Sequence, residues 1–405
     1  MDRFSSKSGW KLGLLLTVIL CFGVISFIYP LDTVRAESKL AGKEVRIGFA
    51  FGETGTWADW IRKNKISVEM AVEEINAMGG IGGVPVRAII RDTASKPQEA
   101  ARVIRKLAGD DKVLSIVGPL SSSECEVAFP VGNRMGISMI AQASSKPGVS
   151  AANRPYGFRN TMTAGKMGMV VVKAFMVTYN VKKVAVVHDI KDAISRALGT
   201  KVLPAVFKKL GATIINEGSY VTYQTNDFDF GPQVTKLKGM DFDGIAFGGL
   251  YFDAVTFLKE MRRQGLTQHI VGGSPLIHEN FPKIGGKASN GTFAPATFHY
   301  SVAPTSFVSE FSKRAKAKGF DIPEPIMYDV NVYDAIYFIK YAIEQMGVTN
   351  RPEDLAKDRE KIMKGLTNIK HFRGIVGPVG FNKDGDGHKP IYVAVIKDGD
   401  WVVHK

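Results

Sequence analysis

The amino-acid sequence predicts an α/β protein built from two doubly wound parallel sheets. Three observations lead to this fold class: strand and helix patterns alternate along the chain, the strands are too many for one sheet, and the length exceeds one hydrophobic core. The chain has 405 residues, whereas single cores stop growing at about 250–300 residues. Two lobes are therefore expected.

Short apolar strands and helical patterns follow one another from residue 44 onward. The strand patterns lie at 45–51, 85–91, 113–117, 138–141, 183–188, 213–216, 244–247, 270–272, 391–396 and 401–404. The helical patterns lie at 61–78, 98–107, 122–134, 166–179, 191–210, 232–238, 253–264, 307–318, 328–346 and 352–366. Because parallel strands need a crossover connection, usually a helix, this alternation indicates parallel sheets covered on both faces.

The first 36 residues have the pattern of a secretory signal peptide. Basic residues precede an apolar run at 12–31, and Val34 and Ala36 supply the small residues of a cleavage site. The run is also long enough to span a bilayer, so a retained anchor is the alternative. Cleavage after Ala36 would export the remaining chain with Cys125 as its single cysteine, so no intrachain disulfide is expected.

The composition excludes several classes of protein. The formal charge is +14, but the basic residues are scattered among acidic ones, so no nucleic-acid partner is expected. The cysteines are too few for a disulfide scaffold, and the histidines lack metal-ligand spacing. The turn at 382–387 resembles the start of a calcium loop, but Val393 stands where the loop needs a glutamate, so a polar turn is expected.

The motifs of common enzymes are also missing from the sequence. It contains no phosphate-binding loop, no dinucleotide fingerprint, no G-x-S-x-G and no H-E-x-x-H. We therefore expect a protein that is not an enzyme and that carries no cofactor or metal.

A more specific signal comes from segments spread over the chain beyond the signal peptide. They include IGFAFGETGTWADW, AVEEINAMGGIGGVPVR, IVGPLSSS and GISMIAQASSKP, with others at 184–189, 227–249 and 374–381. In this order they resemble the type I periplasmic solute-binding proteins of ABC importers, in the leucine/isoleucine/valine-binding family.

This resemblance implies a monomeric periplasmic protein whose two lobes are joined by a three-strand hinge and close on a ligand in the cleft between them. The first lobe would be 44–161 plus 298–373, and the second 162–297 plus 374–405. The implied partners are the permease and ATPase subunits of an importer at the membrane. A ligand-sensing protein that serves a receptor is the alternative.

The resemblance places a carboxylate site on the first lobe. The segment Gly118-Pro-Leu-Ser-Ser-Ser links a strand end to a helix start, where hydroxyls, free backbone N–H groups and the helix dipole favour an anion. Ser122, beside Ser123, matches the family's carboxylate contact. The backbone of Ala143 and the hydroxyl of Ser145 would complete the cradle. Trp57, Trp60 and Tyr328 fall at the positions of aromatic walls.

The second lobe departs from the amino-acid binders. Ser274 stands where those proteins carry the acid that grips the α-ammonium group, and a buried ammonium without a carboxylate partner is costly. Ala193 and Leu250 replace tyrosines, and Tyr251 lies beside Leu250. We therefore expect a carboxylate without an α-amine, an aromatic or other bulky organic acid. A branched-chain amino acid or an amide is the alternative.

Overall fold

The computed structural model describes residues 40–404. The predicted signal peptide, residues 1–36, lies outside the described residues. The strands are β1 Val45–Phe51, β2 Val86–Asp92, β3 Ser115–Val117, β4 Met139–Ala141, β5 Gly157–Arg159, β6 Lys183–Asp189, β7 Thr213–Ile214, β8 Val221–Tyr223, β9 Gly244–Gly248, β10 His269–Gly272, β11 Phe293–Ala296, β12 Phe372–Gly374, β13 Gly377–Phe381, β14 Gly387–His388, β15 Tyr392–Lys397 and β16 Asp400–Val403.

The helices separate these strands along the chain. They are α1 Ala58–Ile61, α2 Asn64–Ala77, α3 Pro97–Gly109, α4 Ser122–Arg134, α5 Ala164–Tyr179, α6 Ala193–Ala197, α7 Leu203–Lys209, α8 Gly231–Lys238, α9 Tyr251–Arg263, α10 Asn280–Gly285, α11 Thr305–Ala317, α12 Met327–Gln345 and α13 Leu355–Asn368. Within residues 40–404 no helix has the length and apolarity that a membrane span requires.

The first sheet has the strand order β2-β1-β3-β4-β5, and all of its strands are parallel. Because crossovers are right-handed and the order reverses at β1, α2 lies on one face and α3 and α4 lie on the other. The strands at this reversal, β1 and β3, end beside each other. Ligands of open parallel sheets bind at such a point.

The second sheet has the order β16-β15-β11-β10-β9-β6-β7, with β8 also paired to β6. Its central strands are parallel, whereas β15 and β16 run antiparallel at one edge. A small antiparallel sheet holds β12, β13 and β14. The α/β fold with two parallel sheets that the sequence predicts is thus confirmed.

The chain returns to the first sheet after β11. Helices α11 and α12 both pack on α2, and α12 also packs on α13 and β3. The last strands, β15 and β16, join the second sheet instead. The lobe boundaries 44–161 plus 298–373 and 162–297 plus 374–405 remain a prediction.

Two predicted helices are interrupted. The pattern at 61–78 is divided into α1 and α2, because the Ile66 N–H bonds the carbonyl of Lys63 instead of continuing an i+4 ladder. The pattern at 191–210 contains a π-helical segment, Leu198–Val202, between α6 and α7. Pro204 cannot donate to the carbonyl of Thr200 and crowds it, so the widened turn relieves that conflict.

The turn at 382–387 is a structural junction. Asp386 accepts from Arg159 Nε at 2.6 Å, and both side chains are almost fully buried. The backbones run alongside each other, with bonds from Arg159 N to Gly385 O (2.9 Å) and from Gly387 N to Thr161 O (3.0 Å). The turn therefore holds the end of β5, where the chain leaves the first sheet, against the segment between β13 and β14.

Candidate functional site

A small cavity lies between the ends of the two sheets. Its walls come from the loops after β1, β3, β4 and β10, from the start of α6 and from the start of α12. The lining residues are Trp57, Leu120, Ser121, Ser122, Ala143, Ser144, Ser145, Ile194, Ser274, Pro275 and Tyr328.

The loop between β3 and α4 forms the first wall. It approaches β1 closely at Gly118, whose φ is +110° and where an added Cβ would lie 2.3 Å from the carbonyl oxygen of Ala50. Only glycine tolerates this position. The close approach brings the start of α4 to the carboxyl end of β1.

Ser121, not Ser122, caps helix α4. The Ser121 hydroxyl accepts from Glu124 N at 3.2 Å, and the backbone N–H of Ser121 donates to the Glu124 carboxylate at 3.4 Å, which completes a capping box. The Ser121 hydroxyl also donates to that carboxylate at 2.6 Å. Burial raises the pKa of Glu124 above its ordinary value. The cap is thus satisfied within the helix, and the Ser122 hydroxyl is not needed for it.

Ser122 instead faces the loop that follows β4. Its Oγ lies 2.9 Å from Ser144 Oγ, and both residues are buried. Within residues 40–404, the backbone N–H groups of Ser122, Ser144 and Ser145 meet no protein acceptor. The first wall therefore presents hydroxyls and unpaired N–H groups beside the positive end of a 13-residue helix.

Arg159 holds the loop after β4 in place. Its Nη1 donates to the carbonyls of Ser144 (3.1 Å) and Lys146 (2.7 Å), and Ala164 N donates to the carbonyl of Ser145 (2.8 Å). These bonds occupy the carbonyl oxygens of the loop. The N–H groups of Ser144 and Ser145 and the Ser145 hydroxyl remain for a ligand, whereas the Ser144 hydroxyl and the Lys146 N–H bond Ser122 Oγ.

The second wall is mainly apolar. Ile194 and Pro275 line it, and the Ser274 carbonyl accepts from the Tyr328 hydroxyl at 2.7 Å. Burial raises the pKa of Tyr328 above its ordinary value, so the phenol stays protonated and donates. Among the described residues that line the cavity, none is acidic.

A cluster of aromatic rings extends away from the cavity behind Trp57. The ring centroids of Trp57 and Trp60 lie 4.8 Å apart, and Trp60 meets Tyr251 at 5.0 Å. Trp57 lines the cavity, whereas Trp60 and Tyr251 lie behind it. Tyr251 begins α9 and donates to Asp59 Oδ2 at 2.6 Å, and Leu250 is the buried N-cap of the same helix.

Ser123 and Ala193 meet at the edge of the cavity. The Ser123 hydroxyl accepts from Ala193 N at 3.2 Å and donates to Asp192 Oδ1 at 3.4 Å. Asp192 caps α6, with Oδ2 accepting from Ser195 N at 2.9 Å. Burial raises the pKa of Asp192 above its ordinary value. An acid of the second sheet thus reaches the first wall without lining the cavity.

The structure brings six predicted site residues together around the cavity and leaves five outside its lining. Those inside are Trp57, Ser122, Ala143, Ser145, Ser274 and Tyr328. Those outside are Trp60, Ser123, Ala193, Leu250 and Tyr251. Sequence reasoning missed Ser144 and Ile194, although each adjoins a predicted residue. It also missed Asp192, whose signal was the Asp-x-x-Ser cap of α6.

No group of three or more potential metal ligands occurs within residues 40–404. Cys125 is buried, and burial raises its thiol pKa well above the ordinary value. The site therefore consists of hydroxyls, amides, aromatic rings and aliphatic side chains, a set suited to holding a small ligand.

Known proteins resemble this chain over most of its length. A leucine-, isoleucine-, valine-, threonine-, and alanine-binding protein of Pseudomonas aeruginosa is 27% identical over 353 residues, covering 87% of this chain and 89% of that protein. A branched-chain amino acid transporter substrate binding protein of Streptococcus pneumoniae, solved with isoleucine, superimposes with a TM-score of 0.76 at 25% identity, covering 89% of this chain and 100% of that one.

A third relative is similar in fold at 18% identity. It is a solute binding protein of an ABC transporter from Rhodopseudomonas palustris, solved with 3,4-dihydroxy benzoic acid, with a TM-score of 0.74, covering 89% of this chain and 95% of that one. The sequence profile described as periplasmic binding protein matches residues 44–400. The chain therefore belongs to the periplasmic binding protein family.

Proposed function

We propose that this protein is the extracytoplasmic solute-binding component of an ABC importer. It captures a small carboxylate between its lobes and delivers it to permease subunits in the membrane. The names of its relatives support the transport role, because they include amino-acid-binding proteins and a transporter's substrate binding protein. Location in the periplasm follows from the same proposal and from the predicted signal peptide.

The observation that carries the proposal is the polar first wall. Hydroxyls of Ser122, Ser144 and Ser145 meet there with unpaired N–H groups at the start of α4. Charge-assisted hydrogen bonds from such donors to an oxyanion are stronger than neutral ones. A carboxylate satisfies several of these donors at once, whereas a neutral or cationic group does not.

The favoured ligand is an aromatic or other bulky organic acid without an α-amine. The described lining offers Trp57, Ile194 and Pro275 to the rest of the ligand and no acidic side chain to an ammonium group.

A branched-chain amino acid is the second candidate, and Asp192 is the observation that favours it. This buried carboxylate contacts Ser123 beside the cavity. A modest side-chain movement would let it face an ammonium group instead. The relatives named for leucine, isoleucine and valine fit the same candidate.

Calorimetry separates the two candidates. We would titrate the protein with benzoate, cinnamate, L-leucine and L-isoleucine, and repeat the titrations with Asp192→Asn. Tight binding of an aromatic acid that survives Asp192→Asn supports the favoured ligand. Binding of leucine or isoleucine alone, lost in Asp192→Asn, would replace it with the amino-acid candidate. Native mass spectrometry of the co-purifying ligand gives an independent identification.

Binding and lobe closure are linked in this proposal. A ligand shifts an open–closed equilibrium only if it binds the closed form more tightly. Here the closed form places Ser122 and Ser145 opposite Ile194 and Pro275, so only closure completes the cavity. The permease subunits would then recognise the closed protein.

A further inference from the structure

The two sheets are also joined outside the cavity, by an ion pair. Lys63 Nζ lies 3.0 Å from Glu279 Oε1, and the side chains are 3% and 15% exposed. Lys63 directly precedes α2, which packs on the first sheet, and Glu279 directly precedes α10, which packs on α9 of the second. The pair therefore bridges the two sides of the cleft.

Each partner is anchored on its own side. Lys63 Nζ also donates to the carbonyl of Glu324 at 2.7 Å, in the segment between α11 and α12. The carbonyl of His278, next to Glu279, accepts from Trp401 Nε1 at 3.0 Å, and Trp401 belongs to β16. When the cleft opens, the contact between Lys63 and Glu279 therefore separates, whereas these anchoring bonds stay on their own sides.

A second polar contact and a layer of rings surround this pair. Tyr251 donates to Asp59 at 2.6 Å across the same gap. Trp60 packs against His278 at 5.3 Å, and His278 stacks on Tyr251 at 4.3 Å. His278 Nδ1 accepts from Asn280 N at 3.0 Å, and burial lowers the pKa of His278, so this ring stays neutral. The rings exclude water from the ion pair.

We propose that the contacts Lys63–Glu279 and Asp59–Tyr251, the latch, exist only in the closed protein and set how long a ligand stays bound. None of these residues lines the cavity, so the latch acts on the lobes and not on the ligand. This inference rests on the proposed function, since it assumes that closure retains a ligand. It assigns to the latch a role in release that needs no contact with the ligand.

Because Lys63 and Glu279 are buried, the loss of either one should have a large effect on the closed form. Burial works to raise the pKa of Glu279, but the Lys63 ammonium group 3.0 Å away works against it, and that pKa lies below its ordinary value. Removal of one member of a buried pair leaves the other charge without compensation. Loss of one partner should therefore destabilise the closed form much more than the loss of an exposed pair would.

Stopped-flow kinetics with cinnamate or L-isoleucine, whichever the wild-type protein binds, tests the latch. Lys63→Met and Glu279→Gln should each raise the dissociation rate by about tenfold or more and change the association rate by less than about twofold. The double variant Lys63→Met/Glu279→Gln should raise the dissociation rate by less than the product of the two single increases, because neither charge is then left unpaired.

An exposed pair between the same two sides supplies the matched control. Lys283 Nζ lies 3.5 Å from Asp321 Oδ2, with side chains 55% and 86% exposed. Asp321→Asn should change the dissociation rate by less than about twofold. Melting temperatures of the ligand-free variants close to that of the wild type would show that the effect is on closure and not on folding.

Two results would overturn the proposed role of the latch. One is an unchanged dissociation rate in Glu279→Gln, and the other is a double variant whose dissociation rate rises by the full product of the two single increases. Failure of the proposed ligand class is a separate outcome. If neither cinnamate nor isoleucine binds, the same kinetics are measured with the compound that co-purifies, identified by mass spectrometry. The latch does not contact the ligand, so its expected effect is the same for that compound.

Discussion

Helices α4 and α6 both begin at the cavity, on opposite sides of it, and their first turns differ. Helix α4 is capped by the neutral Ser121, and the N–H of Ser122 meets no acceptor within residues 40–404. Helix α6 is capped by Asp192, whose carboxylate takes up the N–H and the hydroxyl of Ser195. The start of α4 can therefore accept an anion from a ligand, whereas the N–H groups at the start of α6 are already bonded to the Asp192 carboxylate.

This difference should orient a bound ligand, with its carboxylate towards α4. A ligand carboxylate gains from the dipole of α4, whereas near α6 it would approach the buried carboxyl of Asp192. The first side therefore recognises charge, and the second side selects the remainder of the ligand by shape and apolar contact. The following predictions test this division, beginning with the largest expected effect.

Removal of both hydroxyls from the first side should nearly abolish binding. In Ser122→Ala/Ser145→Ala, a charged ligand loses two hydrogen bonds worth about 1.5–3 kcal/mol each. We expect affinity for the wild-type ligand to fall at least about 100-fold, measured by calorimetry. Ser67→Ala is the control, because Ser67 is buried in α2 outside the cavity. Unchanged affinity in the double variant would remove the carboxylate site.

An added acid on the second side should reverse the selectivity. Ser274→Glu places a carboxylate at the cavity, where it attracts an ammonium group and repels an organic acid. We expect the ratio of cinnamate affinity to leucine affinity to fall roughly 30-fold, which corresponds to about 2 kcal/mol. Ser274→Gln, of similar size and uncharged, should leave this ratio within about threefold. Equal effects of the two variants would show that size, not charge, controls selectivity at Ser274.

A buried acid of the second side should make stability depend on pH. Asp253 Oδ2 has no partner within residues 40–404, and burial raises the pKa of Asp253 to about 8. The folded state then keeps a proton that the unfolded state releases, so this group lowers stability as pH rises from about 4 to 8.

Asp253→Asn removes that dependence. We expect the free energy of unfolding at pH 8.5 to rise by about 1–2 kcal/mol, with a smaller change at pH 4, measured by urea denaturation. Asp241→Asn, at an exposed position, is the control. A gain that is equal at both pH values would argue against titration of Asp253.

The contact between Tyr328 and Ser274 should have the smallest effect. It is a single neutral hydrogen bond between the two sides, and such bonds contribute about 0.5–1.5 kcal/mol. Tyr328→Phe should weaken ligand binding by about 1 kcal/mol and leave the preference between cinnamate and leucine unchanged. A large shift in that preference would mean that the Tyr328 hydroxyl contacts the ligand directly.

Sequence patterns predicted the long elements well and the short ones unevenly. The strand at 45–51 and the helix at 122–134 coincide with β1 and α4, because each has enough residues to reveal its period. β5 and β8 were not predicted, although β3 and β4, which also have three residues each, were. A three-residue strand is too short to show its period reliably. The split of the helix at 191–210 needed the conflict between Pro204 and Thr200, which hydrophobic spacing does not register.

The candidate site divides in the same way. The loops after β1, β3 and β4 could be predicted to converge, because carboxyl ends of parallel strands share one edge. Whether Ala193 or Ile194 lines the cavity depends on the direction of the first turn of α6, which the sequence does not specify. Lys63 and Glu279 are far apart in the chain, and only the folded arrangement brings them together.

Arg159 has one further consequence. The same guanidinium bonds Asp386, at the junction between two chain segments, and the carbonyls of Ser144 and Lys146, in the loop of the first wall. The junction at Asp386 and the loop of the first wall are thus held by the same buried side chain. If a bound ligand displaces this loop, the junction should be displaced with it, so a substitution at Arg159 should uncouple ligand binding from the relative movement of the two sides.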